Sequence, residues 1–186
     1  NQYPEGVCLG LVAQWLISIK NNDEAQFWND LNGSLAKSEN VPLLGCGYAK
    51  KAIQFQGDYV GQTNENPSTG EYTRNQLKTV KLTFDNAVAD QKNAFAGTPL
   101  NNIADRVLTN DCRYFILGVR GNGGHAIGIY RTYSLIGKSS SIHIFDPNFG
   151  KFDCDGASNV KIDLADIGSR YNGSLQTSFV LEGYAG

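Results

Sequence analysis

The chain has 186 residues, 41% of them hydrophobic and 11% aromatic, which suits one core of ordinary size and argues against disorder. Lys and Arg total 16 against 18 Asp and Glu, and the formal net charge of −2 gives no electrostatic reason to expect nucleic acid or an anionic membrane surface as a partner. No apolar run approaches the roughly 20 residues of a transmembrane helix, and no basic segment leads into the apolar stretch of a signal peptide.

The first half reads as helical. Val7, Leu11, Trp15 and Ile19 recur every four residues and predict one helix, ended by Lys20-Asn21-Asn22. A second helix is expected from Asp23 to about Leu35, with Phe27, Leu31 and Leu35 inward and Asp23-Glu24 in its first turn, where the helix dipole favours acids. The segment from Gly57 to Tyr72 is rich in Gly, Asn, Thr and Ser and predicts a long surface loop. Residues 73–95 place Leu77, Val80, Phe84 and Val88 at mostly helical spacing, and a short helix follows from Leu100 to Leu108. The period then changes. Strands are expected at 113–119, 125–131, 141–146 and 149–154, with a Gly-Asn-Gly-Gly turn at 121–124 and a Pro-Asn-Phe-Gly turn at 147–150. A helix from about Ile162 to Tyr171 and a strand from Thr177 to Leu181 close the chain. Helices followed by a mostly antiparallel sheet give an α+β fold, expected as a single domain over 1–186, since no repeat, low-complexity tract or linker interrupts it.

No methionine occurs, even at position 1, so the chain is expected to be a domain excised from a longer protein or a processed product. Cysteines stand at 8, 46, 112 and 154. They form no CxxC, and with only two histidines they give little support to a zinc cluster, so neither metal nor cofactor is expected. Four scattered thiols do not make a disulfide scaffold and are expected to be mostly reduced.

Chemistry concentrates at three places. Gly6-Val7-Cys8-Leu9-Gly10 puts a cysteine between glycines at a helix start. A nucleophilic cysteine must react as the thiolate, and a helix N-terminus supplies partial positive charge and spare backbone N–H groups. The flanking glycines would leave the sulfur open to a substrate. The segment alone is equally compatible with a buried core cysteine. His125 opens a strand after the Gly-rich turn, a position suited to a cleft, whereas His143 sits mid-strand and is expected to point away from Ile142 and Ile144, to solvent or a polar partner. Asp146 ends a strand before Pro147, whose ring forces extended geometry on it, so it could orient an imidazole or merely start a turn. Asp153 and Asp155 are rival orienters in a more polar, solvated stretch. Cysteine, histidine and aspartate in that order fit a cysteine hydrolase or acyl transferase. Gln2 and the Cys8 backbone N–H are candidate oxyanion donors.

The segments GVCLGLVAQWL, GGHAIGIYR and IFDPNFGKF together resemble the YopT/AvrPphB family of bacterial effector cysteine peptidases, which have a papain-like fold. The matching elements are Gly6-Val7-Cys8 with Trp15, Gly124-His125-Ala126, and Asp146-Pro147-Asn148-Phe149-Gly150, and the three segments that hold them cover about a sixth of the chain. The resemblance implies Cys8 as nucleophile, His125 as general base and acid, and Asp146 as orienter, with Gln2 a loose fit to the family's oxyanion donor. It implies a secreted or translocated toxin or effector that cleaves host proteins, such as a small GTPase or a kinase, and sometimes itself. A deamidase, transglutaminase or other acyl transferase would use the same three residues, and a binding module with an inert cysteine is the remaining alternative.

Overall fold

The computed structural model describes residues 7–36, 47–65, 70–132, 141–155 and 157–186. They fall into two compact units, within residues 1–82 and 83–186.

The first unit is helical: α1 (Cys8–Lys20), α2 (Glu24–Ala36), α3 (Gly47–Glu65) and α4 (Glu71–Thr79). The other three helices pack on α1. Its buried residues, Val12, Ala13, Gln14, Trp15 and Leu16 among them, run round most of its girth instead of forming one stripe. Of the expected stripe only Trp15 is fully buried; Val7, Leu11 and Ile19 are half-buried. A Cβ on Gly10 would lie 2.0 Å from the Ala52 carbonyl oxygen, so α1 and α3 meet backbone to backbone there. The indole N–H groups of Trp15 and Trp28 both donate to Glu24 Oε1, at 3.0 and 3.1 Å, tying α1 to α2. Asp30 accepts the Tyr48 backbone N–H at 2.9 Å and so satisfies an early amide of α3. Phe27 is buried as expected, edge-on to Trp28 and Tyr48.

Two expectations fail here. Residues 57–65 are not a loop but the second half of α3, and 71–72 already belong to α4. The helix expected over 73–95 stops at Thr79; Lys81 turns the chain with φ 63°, and residues 83–90 are a strand.

The second unit contains β1 (Thr83–Asp90), α5 (Gly97–Thr109), β2 (Tyr114–Arg120), β3 (Gly124–Arg131), β4 (Ser141–Asp146), β5 (Gly150–Asp155), α6 (Ala157–Arg170) and β6 (Ser178–Ala185). One sheet runs in the order β1-β6-β2-β3-β4-β5, and every neighbouring pair is antiparallel. The expected strands of this half all form, within a few residues of their predicted ends. Apolar side chains of alternate strand positions, including Phe115, Leu117, Ile127, Ile129, Ile142 and Ile144, join Ile103 and Val107 of α5 and Val160, Leu164 and Ile167 of α6 in one core. Arg131, buried on β3, donates to the carbonyls of Val107 at 2.9 Å and Cys112 at 3.1 Å, and to those of Leu108 and Asn110, satisfying the end of α5 and the chain after it.

The register decides which side chains share this helix-covered face. His125 pairs with Val119 and Ile144 with Ile129, so His125 and Asp146 lie on the core side. His143 lies on the other.

Candidate active site

Cys8 is the first residue of α1 and is partly exposed. Val7, at the cap position, has no side-chain acceptor for the first amides. Gln56 of α3 supplies one: its buried side-chain carbonyl accepts the Gly10 N–H at 3.2 Å. The start of the cysteine-bearing helix is thus held by a residue that carries no local sequence signal. The glycine at position 10 serves helix contact with Ala52, a reason different from the open sulfur expected for it.

The other candidate groups meet in the second unit. His125 Nε2 donates to Asp146 Oδ1 at 3.0 Å, and the two side chains are 6% and 0% exposed. A fully buried carboxylate needs several donors. Asp146 has them: Oδ1 also accepts the Asn148 backbone N–H at 2.8 Å, and the Tyr171 hydroxyl lies 2.9 Å from Oδ1 and 2.8 Å from Oδ2. The Tyr171 oxygen in turn accepts from Asn148 Nδ2 at 3.2 Å. The Asp-Pro-Asn-Phe-Gly segment therefore has a physical reading at almost every position. Asp146 bonds the imidazole, and Asn148 holds both the carboxylate and Tyr171. The Phe149 N–H closes the turn on the Asp146 carbonyl at 3.1 Å, and Gly150 sits at φ 100°, where other residues are strained. Phe149 is one of two large exposed hydrophobic residues among those described, with the Arg170 guanidinium 5.2 Å from its ring centre.

Tyr171 escaped the sequence reading except as the end of a helix. It follows α6, 25 residues from Asp146 in sequence, and no local pattern ties the two. His125 itself is more buried than a cleft position suggests, at 8% exposed.

The competing residues are engaged elsewhere. His143 Nδ1 bonds Asp153 Oδ1 at 2.5 Å and stacks on Tyr130. That bond, with smaller help from Lys151, holds the Asp153 carboxyl below its usual range despite the opposing effect of burial. Cys112 lies 3.5 Å from Asp85 Oδ2, and burial, with that carboxylate, pushes its thiol up to about 11. Cys154 donates to Asp163 at 2.8 Å. Cys8, Cys112 and Cys154 form no disulfide; Cys46 and Gln2 lie outside the described residues, as does the Asp155 side chain. Among the described residues no group of three or more His, Cys, Asp or Glu is arranged to hold a metal ion, and no helix is long and apolar enough to cross a membrane.

The profile of a peptidase family described as Yersinia/Haemophilus virulence surface antigen matches residues 1–179, nearly the whole chain. The chain belongs to this family. It is accordingly a cysteine peptidase of the YopT/AvrPphB type. The crystal structure of the Pseudomonas avirulence protein AvrPphB is similar to it, with a TM-score of 0.63 over 96% of this chain and 90% of that one. At 18% identity that likeness shows the fold, which is papain-like as expected. No curated protein sequence matches this peptidase significantly.

Proposed function

We propose that Cys8, His125 and Asp146 act as one triad in a thiol endopeptidase delivered from a bacterium, and that its substrates are proteins of the host. The observation that carries the triad is the buried His125–Asp146 pair, in which Nε2 faces the carboxylate. An acceptor-only carboxylate fixes the proton on Nε2, which leaves Nδ1 to exchange a proton with the nucleophile. Of the three cysteines described, Cys8 alone is partly exposed and stands at a helix start, where the dipole favours a thiolate.

In this reading the Cys8 thiolate attacks the scissile carbonyl carbon. The carbonyl electrons move onto oxygen, and the tetrahedral intermediate collapses as the His125 imidazolium protonates the departing amine. Water, deprotonated by the neutral imidazole, then attacks the thioester, releases the acid and restores the thiolate and the imidazolium. Gln2 and the Cys8 backbone N–H are the oxyanion donors of the proposal. Residues 1–186 are read as a single catalytic domain, a reading supported by a family match over residues 1–179. The family's description as a virulence surface antigen supports delivery to a host, by secretion or translocation.

The test compares host-cell lysate treated with wild-type protein or with Cys8→Ala, followed by mass spectrometry of new N-termini. New termini that need Cys8 support the peptidase. Gln side chains converted to Glu, with no new termini, would replace it by a deamidase.

A further inference from the structure

The geometry points to Tyr171 as a positioning residue that acts on the imidazole through Asp146; this rests on the triad reading above and goes beyond it. Its hydroxyl has one proton and stands astride both carboxylate oxygens, at 2.9 and 2.8 Å. His125 and Asn148 N–H both fall on Oδ1, so Oδ2 takes its hydrogen bond from Tyr171. Without that bond the carboxylate is held along one edge and can rotate about its Cβ–Cγ bond, swinging the acceptor away from Nε2. The tyrosine ring also limits the imidazole directly, with ring centres 5.2 Å apart.

The tyrosine is itself fixed from three directions. Asn148 Nδ2 holds its oxygen, Phe149 meets its ring edge-on, and Phe95 stacks on it. Phe95 can lie there because residue 168 is glycine: a Cβ at that position would fall 2.3 Å from the Phe95 Cβ. The loop after Tyr171 is also clamped to the turn that precedes His125. The Asn122 N–H donates to the Ser174 carbonyl at 2.8 Å, and this carbonyl would be 1.9 Å from a Cβ on Gly121. One loop thus binds both the turn that launches His125 and the carboxylate that orients it. A tyrosine needed only for packing would not require its hydroxyl on a buried carboxylate.

The test reads the rate of Cys8 alkylation by the epoxide E-64 against its concentration, which separates kinact from KI. Tyr171→Phe keeps the ring and is expected to lower kinact about tenfold, the rate equivalent of one charge-assisted hydrogen bond, with KI unchanged. In an Asp146→Asn background the same substitution should cost nothing further, because its effect passes through the carboxylate. An unchanged kinact for Tyr171→Phe, or losses that multiply in the double variant, overturns the inference and leaves the triad standing. If Asp146→Asn alone reacts as fast as wild type, the triad reading fails, and this inference with it. Should Tyr171→Phe not fold, Asn148→Ala at an exposed position releases the hydroxyl instead: about threefold slower kinact supports the role, and no change overturns it.

Discussion

Gly10→Ala sets two effects of opposite sign against each other in the helix that carries Cys8. By propensity alone, alanine should stabilise a helix by about 1 kcal/mol over glycine. The structure opposes this. The new Cβ would lie 2.0 Å from the Ala52 carbonyl oxygen and 2.8 Å from its carbon, where real Cβ contacts essentially never fall below 3.0 Å. The obstacle is backbone, so no side chain can swing aside; α1 and α3 must separate by about an ångström. Overpacking of this kind costs about 1–3 kcal/mol, and a rigid obstacle puts it at the upper end. The same movement lengthens the buried bond from Gly10 N–H to Gln56, worth about 1 kcal/mol. Clash and lost bond outweigh propensity by about 2 kcal/mol or more. For a chain of this size that lowers Tm by roughly 4–8 °C, measured by circular dichroism alongside a urea titration. An equal or raised Tm would refute the reasoning, since it would mean that the two helices do not touch at this glycine.

Arg131→Met retains a long stem but removes the donors to four carbonyls, and should cost about 3 kcal/mol or more in a urea titration. His143→Ala should leave the E-64 labelling rate within twofold of wild type, while the Asp153 carboxyl, followed by NMR titration, rises toward the usual range. Cys112 gives a pH dependence with a defined sign. Its thiol holds its proton more tightly in the folded chain, with a pKa raised from 9.0 to about 11. Its contribution is full below about pH 9 and is lost as pH rises toward about 11. The urea midpoint should therefore fall across that window, and fall less in Cys112→Ala.

The legible parts of the sequence were those where local chemistry and tertiary structure agree. The strands of the second unit are apolar and β-branched, the hairpin after Arg120 is marked by glycines, and Asp146-Pro147-Asn148 is a turn with its own hydrogen bonds. The edge strand β1 was misread for a geometric reason. Phe84 and Val88 are four residues apart, and that interval returns to the same face in a strand as well as in a helix. The second half of α3 was misread because its Gly, Asn and Thr content argues for loop, while burial of Ala52, Phe55 and Gln56 anchors the helix earlier and lets it continue. Cys8, His125 and Asp146 stood out because each sits at the end of an element. Tyr171 and Gln56 were silent because each acts on a partner that only the fold brings near: Asp146 across 25 residues, Gly10 across 46.

The central claim is that Cys8 is activated by His125. Brief exposure of the native protein to limiting E-64 at neutral pH, followed by mass spectrometry, tests it most directly. The account predicts a single adduct on Cys8 that disappears in His125→Ala. Equal labelling of all four cysteines, or a Cys8 adduct that survives His125→Ala, would contradict it.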